Sequence, residues 1–307
     1  MTQVSVDQAD VRHIEIEGGY KVWTRKVGHG PVVLLLLHGG PGCTHEYFEC
    51  FEAQLSPEHY TFYYYDQLGS HFSDQPDDTG LWNVTRFREE VEQVRAALGL
   101  EQFYLYGQSW GGMLGIEYAL KYQSHLKGLI VSNMTASIAS YVQYLGELRE
   151  RMAPEEVAAM KRFEAAGDYA APEYQELLTR LYNLHICRTL PWPEPVQRMF
   201  GHMALPVYNT MQGDNEFVVT GNFKDWNRWD DLHRITVPTL LTVGRHDSMN
   251  PADIEEMGRR IEGSQVQICE DGSHLSMWDD AECYFTGLRA FLAQIESGAN
   301  IRQPASD

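Results

Sequence analysis

The chain has 307 residues, 43% of them apolar, and a formal charge of −19 from 24 Lys and Arg against 43 Asp and Glu. That balance argues against nucleic-acid binding, which needs Lys and Arg at phosphates, and against anionic membrane surfaces; it permits weak steering of cationic substrates. The start of the chain is polar and acidic, without the features of a secretory leader, and no apolar run approaches 18 residues, so the expectation is a cytoplasmic protein with no membrane span.

In chain order, residues 11–25 read as a hairpin around Gly18-Gly19. Pro31-Val-Val-Leu-Leu-Leu-Leu37 is a continuous apolar run ending in His38-Gly-Gly-Pro-Gly42, the pattern of a strand buried on both faces in a parallel sheet. Thr61-Phe-Tyr-Tyr-Tyr65 predicts the next strand, ending at Asp66 and the turn-rich Gln67-Leu-Gly-Ser70. A helix follows, with Asn83 as N-cap, apolar Val84, Phe87, Val91, Val94 and Leu98 at helical spacing, and Gly99 closing it. Strands at 102–106 and 128–132 flank a helix running to about Tyr122. Residues 137–228 have helical periodicity and no comparable β-rich run. Alternation resumes with a strand at 238–243, a helix opened by Asn250-Pro251, a strand at 265–269 and a last helix at about 280–296. The polar tail, about 298–307, reads as disordered. The fold class is α/β, with a mostly parallel central sheet flanked by helices. Its core spans 1–136 and 229–307, and 137–228 form an inserted helical cap.

Gly107-Gln-Ser-Trp-Gly111 lies between a predicted strand and a predicted helix. A Gly-x-Ser-x-Gly in that position is the nucleophile elbow of serine α/β-hydrolases. Glycines two residues before and after remove Cβ atoms that would clash in so sharp a turn. A serine hydroxyl needs a base to take its proton, and the base needs a third group to hold its tautomer. The chain order Ser, Asp, His is met by Ser109, Asp247 in Val243-Gly-Arg-His-Asp247, and His274 in Glu270-Asp-Gly-Ser-His274, each just beyond a strand. Oxyanion donors are expected from the backbone N–H of Trp110 and from the His38–Gly42 loop, with Gly40 preferred over Gly39. Asp66 is read as bracing its loop. The five cysteines, an odd number with no CxxC, read as thiols in a reducing compartment. With no HExxH, no spaced Cys/His cluster and no P-loop, neither metal nor cofactor is expected.

The motifs His38-Gly-Gly-Pro-Gly42, Gly107-Gln-Ser-Trp-Gly-Gly112 and Asp66-Gln-Leu-Gly-Ser70 together resemble proline iminopeptidases (prolyl aminopeptidases) of the α/β-hydrolase superfamily, over roughly residues 10–295. Met211-Gln-Gly-Asp-Asn-Glu-Phe217 and Gly221-Asn-Phe-Lys-Asp-Trp226 resemble the branch with the tricorn-interacting aminopeptidase and the L-amino-acid amidases. The resemblance implies a serine peptidase that removes N-terminal residues, notably proline, from short peptides. It implies Glu216 as the carboxylate that binds the substrate ammonium. Tyr144, Tyr208, Trp226 and Trp229 are candidates for the prolyl pocket or for cap core. One departure stands out. Members of that branch often carry a glutamate directly after the catalytic aspartate, and this chain has Ser248. That leaves room for an amidase or esterase of amino-acid amides and esters. A small-molecule receptor on the same scaffold is the reading from a different class. Oligomeric state is not legible in the sequence.

Overall fold

The computed structural model describes residues 10–298; the tail from 299 onward lies outside that range. β1 (Val11–Glu15) and β2 (Lys21–Gly28) form the antiparallel hairpin, turned by Gly18 and Gly19 at positive φ. β3 (Val32–Leu37), α1 (Cys50–Gln54), β4 (Tyr60–Asp66), α2 (Val84–Leu98), β5 (Phe103–Gln108), α3 (Trp110–Tyr122) and β6 (Leu126–Ser132) follow. Five helices then intervene: α4 (Ile138–Arg149), α5 (Pro154–Ala166), α6 (Pro172–His185), α7 (Glu194–Gly201) and α8 (Leu205–Met211). β7 (Thr239–Gly244), α9 (Pro251–Arg260), β8 (Gln265–Cys269), α10 (Ser276–Asp279) and α11 (Ala281–Glu296) complete the described chain.

The described strands form one sheet in the order β1-β2-β4-β3-β5-β6-β7-β8. β1–β2 and β2–β4 pair antiparallel; every other pair is parallel. The leucine run of β3 shows why. Successive strand side chains face opposite ways, so Leu35 and Leu37 enter one core while Leu34 and Leu36 enter the other. The first core is sealed by α2, α3 and α9 through Val91, Met113 and Ile254. The second is sealed by α1 and α11 through Phe51, Phe285 and Leu288. Both faces are dry, so a strand with no polar side is what the architecture requires. Asn83 caps α2 by accepting the Arg86 N–H at 2.9 Å, and Gly99 ends it at φ 70°. Asn250 accepts the Ala252 N–H at the start of α9.

Candidate active site

β5 passes into α3 with only Ser109 between them. Ser109 sits at φ 56°, ψ −125°, a conformation that costs a non-glycine residue about 1–3 kcal/mol. Its neighbours must be glycine. A Cβ on Gly107 would lie 2.0 Å from the Gly111 carbonyl oxygen, and one on Gly111 would lie 2.0 Å from the Leu37 carbonyl oxygen. The Ser109 N–H donates to the Ser132 carbonyl at 2.9 Å, which pins the turn to the end of β6. The serine is 8% exposed, at the N-terminus of α3 and the C-terminal edge of the sheet.

Asp247 and His274 come together on the loops after β7 and β8. His274 Nδ1 donates to Asp247 Oδ1 at 2.7 Å, with both groups buried. The carboxylate also accepts the Met249 N–H at 2.9 Å and the Asn133 side-chain amide at 2.6 Å. Burial alone would lower the His274 pKa. The Asp247 charge and hydrogen bond outweigh burial, with a further contribution from Glu216, and raise it above 6.5. Ser109 and His274 line one cavity of about 290 Å³. No hydrogen bond joins them in this arrangement, and such bonds commonly tighten only when substrate binds.

The His38–Gly42 loop runs beside the serine: a Cβ on Gly39 would lie 3.1 Å from Ser109 Cβ. The Gly39 N–H already donates to Tyr47 Oη at 2.8 Å. Gly40 is at φ 106°, and among the described residues its N–H has no acceptor. Trp110 opens α3, so its N–H has no intrahelical partner either. Its indole N–H donates to Gln67 Oε1 at 2.7 Å, and Gln67 in turn donates to the His38 carbonyl at 3.1 Å. The Asp66 side chain braces the segment after β3 and not its own loop, accepting both the backbone N–H and Nδ1–H of His45.

Glu216 lines the same cavity from the segment after α8. Tyr141 Oη donates to Glu216 Oε1 at 2.5 Å and Tyr208 Oη to Oε2 at 3.3 Å, while Tyr182 Oη accepts the Glu216 N–H. The carboxylate is held by phenols and no Lys or Arg pairs with it among the described residues. Leu178, Ile186, Met199, Phe200 and Leu275 give the rest of the cavity an apolar wall. Of the four aromatic candidates, Tyr208 lines the cavity. Tyr144 is buried in the core, Trp226 donates to Glu117, and the Trp229 indole donates to Ser140. Ser248 is fully buried, its hydroxyl 3.4 Å from Asp247, and does not line the cavity.

Three contributors were assigned no role from the sequence, although Gln108 and Asp214 lie inside quoted motifs. Asn133, at φ 55° just past β6, donates to both Asp247 and the Ser273 carbonyl, joining the two loops. Gln108 accepts from Tyr47 Oη at 2.8 Å and donates to the His274 carbonyl at 3.0 Å, so the glycine loop, the elbow and the histidine loop share one network. Asp214, exposed, is a second carboxylate at the cavity. The end of α6 contributes as well: the His185 carbonyl accepts the His274 N–H at 3.0 Å and the Ile186 carbonyl accepts the Leu275 N–H at 2.9 Å.

Residues 32–281 match the model of the α/β hydrolase fold family. The proline iminopeptidase of Elizabethkingia meningoseptica is 46% identical over 286 residues, covering 91% of this chain and 96% of that protein. Among solved structures, VinJ superposes with a TM-score of 0.89 at 31% identity, covering 93% of this chain and 98% of its own. The proline iminopeptidase of Mycobacterium smegmatis gives 0.87 at 31% identity, covering 94% and 99%.

Proposed function

This chain belongs to the proline iminopeptidase family of α/β hydrolases, and from that premise we propose how it releases an N-terminal amino acid, preferentially proline, from short peptides. It is a serine aminopeptidase. Ser109 attacks the first carbonyl, and His274 takes the hydroxyl proton and returns it to the leaving amine. Asp247 fixes the His274 tautomer and stabilises the imidazolium. The N–H groups of Gly40 and Trp110 receive the oxyanion. Water then hydrolyses the acyl-enzyme. In this reading residues 137–228 are a cap over the core formed by 1–136 and 229–307, and the substrates are short peptides or amino-acid amides with a free N-terminus.

The observation that carries the register is Glu216. Its carboxylate shares one cavity with Ser109 and His274 and is held by tyrosine hydroxyls without a cationic partner among the described residues. A substrate ammonium supplies that partner, and pairing there leaves only the first peptide bond within reach of the serine.

A panel of prolyl chromogenic amide, prolinamide, Pro-Gly-Gly and an N-blocked ester tests the assignment. Ser109→Ala should lower kcat on every substrate by about 10⁴–10⁶; full turnover would sink the mechanism. Glu216→Gln should cost free-amine substrates about 10–100-fold in kcat/KM, as loss of a charge-assisted contact does, and leave the ester nearly unchanged. Equal losses on both would remove Glu216 from its role. A second reading, hydrolysis of amino-acid amides and esters, draws on Ser248 being buried against Asp247 instead of offering a second carboxylate. Higher kcat/KM for prolinamide than for Pro-Gly-Gly would favour it.

A further inference from the structure

Away from the cavity, Cys269 at the end of β8, Asp280 at the N-cap of α11 and Cys283 in its first turn bring two sulfurs and a carboxylate oxygen within 4.8 Å of one another. Among the described residues this is the one His, Cys, Asp and Glu group so arranged. We propose that these three side chains form a binding site for a single thiophilic divalent cation of the zinc class, with solvent as the fourth ligand.

The donor set suits that ion. Two thiolates select zinc-like cations over magnesium or calcium, and one carboxylate completes three protein ligands of a tetrahedron. Sulfurs bound at about 2.3 Å in a tetrahedron lie about 3.8 Å apart, so the three atoms need move by no more than about an ångström to close on an ion. Cys269 is buried, while Asp280 and Cys283 are half-buried, which leaves a side open to solvent.

A second, independent feature is the amide of Gln267. Its Nε2 points at both sulfurs, 3.8 Å from Cys269 Sγ and 3.6 Å from Cys283 Sγ, while bonding to the Cys283 carbonyl at 2.6 Å. In that orientation Gln267 Oε1 is buried without a partner among the described residues. An N–H donor to metal-bound thiolates is an outer contact that orients such ligands. Cys283 is also the third residue of α11. In the metal-free protein, burial and the neighbouring Cys283 thiol hold the Cys269 thiol above its ordinary range. The ion therefore binds by displacing both thiol protons to solvent, leaving two metal–sulfur bonds and one metal–oxygen bond with no change of oxidation state. The two sulfurs lie on either side of the segment carrying His274, so the ion would clamp both ends of that segment. The proposal stands apart from the peptidase reading.

The test uses the reduced, untagged full-length chain. Equilibrium dialysis against Zn²⁺ should give one tightly held ion, and Co²⁺ in its place should show a thiolate-to-cobalt charge-transfer band. Cys283→Ser and Asp280→Asn should each weaken zinc binding at least about tenfold. Cys283→Ser should also abolish a zinc-dependent rise in Tm. Cys269→Ser is a third variant; its buried position makes Cys283→Ser and Asp280→Asn the deciding pair. Absence of a stoichiometric ion, a cobalt spectrum without the thiolate band, or unchanged affinity in both deciding variants overturns the site.

Discussion

In the proposed mechanism His274 and the group paired with Glu216 together set a pH window. A general base works as neutral imidazole, and the folded His274 pKa lies above 6.5 because Asp247 outweighs burial. kcat/KM should therefore fall as pH drops through a value above 6.5, for every substrate. The partner proposed for Glu216 titrates at the other end: an α-amino group loses its charge at about pH 8. Free-amine substrates should then show a basic limb that an N-blocked ester lacks. A pH–rate profile on the two substrate types checks both limbs, and an acid limb below 6.5 would contradict the Asp247–His274 coupling. The residues that do this work differ in how far the sequence showed them. The places of Ser109, Asp247 and His274 at strand ends were legible from chain order, and the structure pairs Asp247 with His274 beside the cavity that Ser109 lines. Asn133 and Gln108 were not. Each is an amide at or just past a strand end whose partners at the site lie 61 or more positions away, and isolated side-chain hydrogen bonds leave no periodic trace.

At the scale of elements, the β5–α3 junction is the most constrained place in the chain. Gly111→Ala would drive a Cβ to 2.0 Å from the Leu37 carbonyl oxygen. Backbone cannot yield as a side chain does, so a loss of about 3–5 kcal/mol is expected in urea unfolding. Gly146, inside α4, is the control: its Cβ would meet nothing within 4 Å. Gly146→Ala should be neutral to stabilising by up to about 1 kcal/mol. The same physics explains what the sequence disclosed of the elements. β3 is an unbroken leucine run because both its faces are dry, and β8 was bounded at 265–269 by the polar residues after it. The cavity aromatics were harder. Tyr208 and Trp226 look alike in sequence, and only the packing of α8 against the loop of Gly42 turns one toward the cavity. The Cys269–Asp280–Cys283 cluster escaped for a related reason, since its ligands straddle a loop and a short helix.

For the molecule as a whole, the charge of −19 includes the carboxylates of Glu216 and Asp214 at the cavity. Such a field draws cations and is screened over about 10 Å at 0.1 M salt. Raising salt from 50 to 500 mM should lower kcat/KM for cationic substrates by about 2–10-fold and leave an N-blocked ester unaffected. A flat response for both would confine the charge to a solubilising role. No helix among the described residues is long and apolar enough to cross a membrane.

The two backbone bonds from the end of α6 to His274 and Leu275 have a mechanical consequence. They join the end of α6 to the loop that carries His274. A hinge that swung α6 outward would drag the imidazole off its carboxylate, dismantling the machinery on every opening stroke. A rigid swing of α6 would have to break those two bonds or carry the His274 loop with it. An inserted segment and a sheet-edge loop tied in this way move as one piece, so a disturbance in either is felt at the other.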